Sequence, residues 1–262
     1  MTELKQYMSA LMKNVRLPSN KRVILTLFIA VIFSINASII YAETLTYKAS
    51  YGPLRLGTVT FEVNIDNHSE ESLQTERATV QSNPLVFLIR FYGIYESKLL
   101  SDGRSEYFKG TEYSGGDTLI TTYHFIHEDS IMVRTIREYS DSGLIESDTI
   151  KLQETTYDGI AAIHYVRSNI MNPGKSIIYS LYEDNYGPVI INVTDRVERI
   201  RLKSLDKDFN ARFVEGEILF KGVAGWSGRY EAWISNDENA FFLRANVKIF
   251  LGSIKLELVS ID

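Results

Sequence analysis

A two-residue rhythm runs through most of this chain and constrains its fold more than anything else in it. Between Thr58 and Ile65, the apolar set Val59, Phe61, Val63 and Ile65 alternates with Thr58, Thr60, Glu62 and Asn64. Successive side chains of an extended strand point to opposite faces, so this pattern buries one face and wets the other. It returns at Leu243–Ile249, where Leu243, Ala245, Val247 and Ile249 oppose Arg244, Asn246 and Lys248, and at Ser253–Val259, where Ile254, Leu256 and Leu258 oppose Lys255 and Glu257. The Leu251-Gly252-Ser253 step between these two runs predicts a hairpin.

The same reading predicts strands at Leu45–Tyr51, Leu73–Val80, Tyr95–Leu100, Ser105–Tyr113, Leu119–His127, Ile131–Glu138, Leu144–Leu152, Ser176–Tyr182, Val189–Leu202, Ala211–Phe220 and Arg229–Ser235. Turn chemistry separates them at Ser101-Asp102-Gly103, Ser114-Gly115-Gly116-Asp117, Asp141-Ser142-Gly143 and Asn236-Asp237-Glu238-Asn239. Short connections between alternating strands imply an antiparallel meander. Leu119–His127 and Tyr179–Tyr182 carry apolar residues in both phases and are expected to be covered on two sides. One helix interrupts the meander. Asp158 is a fitting N-cap, Ile160, Ile163, Arg167 and Ile170 share a helical stripe, and Asn172-Pro173-Gly174 ends it. Pro84–Tyr92 is a candidate for a second short helix. The fold expected is all-β: one large, strongly curved antiparallel sheet, an open or incomplete barrel, with a helix at about 158–171 across one end.

Residues 1–42 form a separate segment. Lys5, Lys13, Arg16, Lys21 and Arg22 precede the apolar run Val23–Ile40, and Ile40-Tyr41-Ala42 has the small-residue form of a cleavage site. This reads as an export signal cleaved before Glu43. The alternative is a retained anchor, because Val23–Tyr41 is long enough to span a hydrocarbon core of about 30 Å. Either way residues 43–262 are expected outside the cytoplasm, in the periplasm, as a single β-rich domain. Membrane contact is then limited to residues 23–41.

The chain has 28 basic and 33 acidic residues, a net charge of −5, and no cysteine. Residues 1–42 take five basic groups and one acidic group with them, leaving 23 against 32, or −9. So acidic a domain is poorly suited to nucleic acid or anionic membrane surfaces. Without cysteine there is no disulfide, thiolate metal site or lipid anchor on sulfur.

Local spacing offers no catalytic constellation. His124 and His127 are three apart in a predicted strand and so face opposite ways, His68 lies in a polar turn, and His164 has no carboxylate one helical turn away. There is no Gly-x-Ser-x-Gly elbow. The glycines of Gly222–Gly228 precede a strand where a phosphate cradle needs a helix. Glu70-Glu71 and Asp206/Asp208 read as solvated loop charge, and Asp184 and Asp195 offer too few ligands for calcium. Asp158 and Asp237 have structural roles available, as a helix cap and an Asx-type turn. Arg167 shares the apolar stripe of the helix, so it must pair with an internal carboxylate or carbonyl, or with an acidic ligand headgroup. The 16 Tyr, 13 Phe and 2 Trp populate the strands. They supply a core, or the lining of a curved sheet wide enough to hold a greasy ligand.

Several segments resemble a known family. These are Leu45-Thr46-Tyr47-Lys48-Ala49-Ser50-Tyr51-Gly52 with Leu56-Gly57-Thr58, then Tyr95-Glu96-Ser97, then the Asp158–Arg167 helix. Ala232-Trp233-Ile234-Ser235-Asn236-Asp237-Glu238-Asn239 and Val247–Ile254 complete the set. In order and spacing they resemble the bacterial domain of unknown function 3108 (DUF3108) over residues 44–260, with departures at Phe91–Ile94 and Phe242-Leu243. The resemblance implies an exported, mostly β protein and supplies no catalytic residue.

The function expected is therefore a non-enzymatic envelope protein that binds a hydrophobic or lipid-like molecule, without cofactor or metal. Tyr51, Tyr95, Arg167 and Trp233 are the candidate ligand-lining residues. The alternative is a docking module for another envelope protein. A hydrolase would require a buried acid or histidine aligned with a nucleophile.

Overall fold

The structure is a computed structural model that describes residues 42–65, 74–83, 90–114, 116–127, 132–139, 143, 145–152, 154–182, 185–221, 227–249 and 252–262. The N-terminal segment, His68, Glu70-Glu71, Asp184 and most of the Gly222–Gly228 loop lie outside these residues. In chain order the strands are β1 (Ala42–Tyr51), β2 (Leu54–Ile65), β3 (Gln74–Ser82), β4 (Phe91–Leu99), β5 (Ser105–Ser114), β6 (Asp117–Ile126), β7 (Met132–Tyr139), β8 (Ile145–Lys151) and β9 (Thr156–Tyr157). The helix α1 (Gly159–Ser168) follows, then β10 (Gly174–Tyr182), β11 (Asn185–Leu202), β12 (Lys207–Ile218), β13 (Gly228–Ser235), β14 (Phe242–Ile249) and β15 (Gly252–Ile261).

All fifteen strands belong to one sheet, ordered β8-β7-β6-β5-β4-β3-β2-β1-β15-β14-β13-β12-β11-β10-β9. Laid flat at about 4.8 Å per strand, it would be roughly 67 Å wide. Yet its two edge strands follow one another in sequence, and the step from Lys151 to Thr156 spans at most about 18 Å. The sheet must therefore curl until its edges approach, leaving a seam between β8 and β9 where the described residues form no ladder. Register shifts at Thr46/Tyr47, Ala49/Ser50, Lys98/Leu99, Val193/Val197 and Trp233/Ile234 add local bends.

The alternation read from the sequence survives as an inside and an outside. Tyr47 pairs with Val59, Val59 with Val80, Phe61 with Ala78, and Ala78 with Tyr95, all in the inward phase. In the outward phase Glu62 pairs with Arg77, and Arg77 with Glu96, whose carboxylate accepts from the Arg77 guanidinium at 2.8 Å. Apolar inside and polar outside is the reverse of a membrane-spanning barrel. Among the described residues no helix is long and apolar enough to cross a membrane.

Three expectations change. β9 pairs with β10 in parallel, because α1 carries the chain back across the end of the sheet between them. Phe91 and Tyr92, expected in a second helix, open β4, while residues 84–89 lie outside the described set. Ile163 is exposed, and the helix instead buries Ile160, Ala161 and Val166. Ile160 joins the core cluster of Leu45, Tyr95, Phe108 and Leu243, while Val166 joins a second cluster with Ile178, Val189, Ile191, Val193, Val214, Ala232 and Ile234.

Gly216 in β12 shows how tightly the wall is built. The Tyr230 ring lies over it from β13, and the Tyr230 hydroxyl donates to the Ile190 carbonyl at 3.1 Å. A Cβ on residue 216 would overlap that carbonyl oxygen and the phenol. Gly216→Ala is expected to lower stability by about 1–3 kcal/mol, read as a lower urea midpoint with an unchanged slope.

Candidate functional site

Polar side chains collect on the inner surface at the end that α1 covers. Asp158 leads, because it is fully buried. One carboxylate oxygen accepts the amides of Ile160 and Ala161 at 2.8 and 3.0 Å, capping the helix. The other accepts the Ser97 hydroxyl from β4 at 2.6 Å. The Asp158 amide donates to the Ser105 hydroxyl of β5 at 2.9 Å. Burial raises the Asp158 carboxyl above its ordinary value, and the Ser97, Ala161, Ser105 and Ile160 hydrogen bonds only partly oppose it.

One turn along α1, His164 Nδ1 lies 2.8 Å from Glu76 Oε1 of β3. Glu76 is fully buried, receives the Gln74 amide at 2.5 Å on the same oxygen, and has no partner for Oε2 among the described residues. His164 Nε2 lies 3.2 Å from the Ser168 hydroxyl. Gly103, at φ +80°, passes beside the imidazole, and a Cβ there would sit 3.1 Å from Cδ2.

On the same helical face, Arg167 donates to Glu43 of β1 at 3.0 Å and to the Asn239 carbonyl at 2.9 Å. Asp237 holds that turn through Ser235 Oγ at 2.8 Å and the Asn239 amide at 3.1 Å. Tyr47 lies close by. Burial pushes its phenol strongly upward, Arg167 draws it down and Glu43 pushes it up.

At the opposite end of the inner surface, Glu112 of β5 accepts Tyr95 of β4 at 2.8 Å and Tyr182 of β10 at 2.7 Å. β5 stands fourth from the β8 edge and β10 second from the β9 edge, so the second bond joins the two flanks of the sheet. Between the two ends run Tyr95, Phe108, Tyr123 and Phe125, with neighbouring ring centroids 6.3, 5.1 and 6.2 Å apart. Gly93 and Gly110 leave room for the Tyr95 ring, which a Cβ would approach to 2.9 and 3.2 Å.

The four residues singled out from the sequence fall in separate settings. Tyr95 is in the aromatic file, and Arg167 is tied to Glu43. Tyr51 is exposed at the end of β1. Trp233 lies on the face of β13 opposite Ala232 and Ile234, packs on Phe213 at 5.3 Å and donates to Glu198. His124 stacks edge-on to Tyr107, and His127 meets the Ser105 carbonyl at 2.8 Å. Among the described residues no three His, Asp or Glu side chains gather as metal donors.

Residues 46–259 match the profile of the family described as "Protein of unknown function (DUF3108)". The chain belongs to DUF3108. No curated protein matches it. Among solved structures it is similar to the crystal structure of a beta-barrel-like protein of domain of unknown function DUF1849 from Brucella abortus. The TM-score is 0.50 at 11% identity, covering 84% of this chain and 97% of that one. At that identity the likeness concerns the fold alone.

In this DUF3108 chain, Glu76, Ser97, Ser105 and Ser168 escaped the sequence reading. The signal was present for two of them. Glu76 shares the inward phase of Ala78 and Val80, and Ser97 that of Tyr95 and Leu99, so each is a polar group on an apolar face. What the sequence lacked was the partner, since Glu76 and His164 are 88 residues apart.

The buried cap gives a pH signature. The folded Asp158 carboxyl keeps its proton to a higher pH than the unfolded one, whose value is near 3.8. Folding therefore takes up a proton in that interval, and this group's contribution to stability falls as pH rises from the unfolded toward the folded value. Asp158→Asn keeps an oxygen for the helix amides and removes the titration. Urea midpoints from about pH 4 to about pH 7 should show wild type losing stability relative to the variant as pH rises. Asp158→Ala should cost about 1 kcal/mol or more at every pH.

Proposed function

We propose that this is an exported envelope protein that binds a hydrophobic, lipid-like molecule within the curl of its sheet. The open seam carries this reading. A sheet that curls without closing leaves an entry line between β8 and β9. The Tyr95–Phe108–Tyr123–Phe125 file is packed in the core without a guest, so an apolar molecule would lie against it only where the curl opens along the seam, gaining about 25 cal/mol per Å² removed from water. Tyr182 and Glu112 form a polar clasp between the two flanks of the sheet, of the kind that orients an otherwise greasy guest. The charged outer face suits an aqueous compartment, and the basic-then-apolar N-terminal segment supports export.

Docking of a protein partner on the β8 edge is the second reading, favoured by exposed Ile145. Glu146, Asp148 and Lys151 also lie on that short strand, and edge charges of this kind guard against strand addition. Ligand binding is therefore the better supported use of the seam.

Native mass spectrometry of protein purified gently from its own envelope should give a reproducible lipid-sized adduct. Tyr182→Phe, which removes the clasp hydroxyl, should speed exchange of that adduct with added fatty acid or lysophospholipid. A bare polypeptide that also takes up neither added lipid would overturn the reading and shift attention to the β8 edge.

A further inference from the structure

Ser168, His164 and Glu76 are arranged as a nucleophile, its base and the group that orients the base. A carboxylate oxygen accepts, so the arrangement suits an imidazole that faces Glu76 with Nδ1–H across 2.8 Å. That tautomer leaves the lone pair on Nε2, which lies 3.2 Å from Ser168 Oγ and is positioned to accept the hydroxyl proton. Hydroxyl, imidazole and carboxylate in this order are the elements that activate serine for acyl transfer, and geometry rather than chain order defines them.

Two features go beyond what a helix-to-sheet tie requires. Glu76 is wholly buried while its second oxygen has no partner among the described residues. A buried oxygen without a partner is costly, and a simple helix-to-sheet tie does not need one. The hydroxyl end is instead open: Ser168 is exposed, and the His164 side chain retains 22% of its exposure. Gly103, beside the ring, adds no side chain to cover it. The acid is sequestered and the nucleophile is accessible.

We propose that Ser168 is an activated nucleophile that takes the acyl group of carboxylic esters, with His164 as general base and Glu76 as its positioning residue. Ser168 Oγ bonds to the ester carbonyl carbon as its proton passes to His164 Nε2. The tetrahedral adduct collapses, the C–O bond to the alcohol breaks, and the alcohol leaves with the proton from Nε2. Water, deprotonated by the same nitrogen, then attacks the acyl-serine, releases the carboxylic acid and restores the hydroxyl. This reaction is independent of whether a lipid occupies the curl.

The test treats the full-length protein with a fluorophosphonate probe and, separately, with p-nitrophenyl butyrate. Intact mass and peptide mapping should find one phosphonyl group, on Ser168, and none on Ser168→Ala. His164→Asn places an amide nitrogen near the former Nδ1, keeping the bond to Glu76 while deleting the base. It should slow labelling and p-nitrophenol release by roughly 10²-fold or more with thermal unfolding little changed. Glu76→Gln should slow both while preserving the fold. Labelling no faster than in Ser168→Ala, or unaffected by His164→Asn in a folded variant, would overturn the proposal and leave the cluster as a structural tie.

Discussion

The buried carboxylate of Asp158 is where the two halves of this molecule are joined. The helix cap, the Ser97 hydroxyl of β4 and the Ser105 hydroxyl of β5 all meet on that one residue. Val166 of α1 meanwhile joins an apolar cluster drawn from β10 to β13, and Ile160 the cluster that holds the aromatic file. A sheet whose edges do not pair has no ladder to hold its curl, so something must span the gap. At one end that is α1, fixed through Asp158. Burial makes the bond set costly for a charged group, yet the low dielectric that raises the Asp158 carboxyl also strengthens its hydrogen bonds once made.

From this constraint follows the arrangement of the inner surface. With α1 fixed at its N-terminus, His164, Arg167 and Ser168 are set along the next turns. His164 and Arg167 reach Glu76 and Glu43, on strands distant in sequence. At the far end the Glu112 clasp joins β4, β5 and β10. The inner surface thus has α1 across one end and the Glu112 carboxylate between strands at the other, with an aromatic file between.

What was legible in the sequence was whatever depends on nearest neighbours. Period-two alternation revealed nearly every strand, and Asp158 announced the helix. The β14–β15 hairpin was visible in Leu251-Gly252-Ser253. The parallel β9–β10 pair was not, because a two-residue strand carries no periodicity. Ile163 was misassigned for a related reason: α1 is enclosed on two sides, so no single apolar stripe describes it. His164 has no acid one helical turn away along the chain, because its acid arrives from β3.

Polar groups at inward positions are the more telling deviation. A curled sheet held only for stability would favour apolar side chains at inward positions such as those of Glu76 and Glu112, since a polar group there must find partners to match packing. Asp158 has a structural account in full, because every hydrogen bond it makes holds the helix or the curl. Glu112 has one in part, in joining β5 to β10. Glu76 has the least, for one of its oxygens is unpartnered among the described residues, and its main contact is with an imidazole that turns its other nitrogen to an exposed hydroxyl. When burial, tautomer and access all favour chemistry at one group over packing, that group is the place where local stability has been given up for something else.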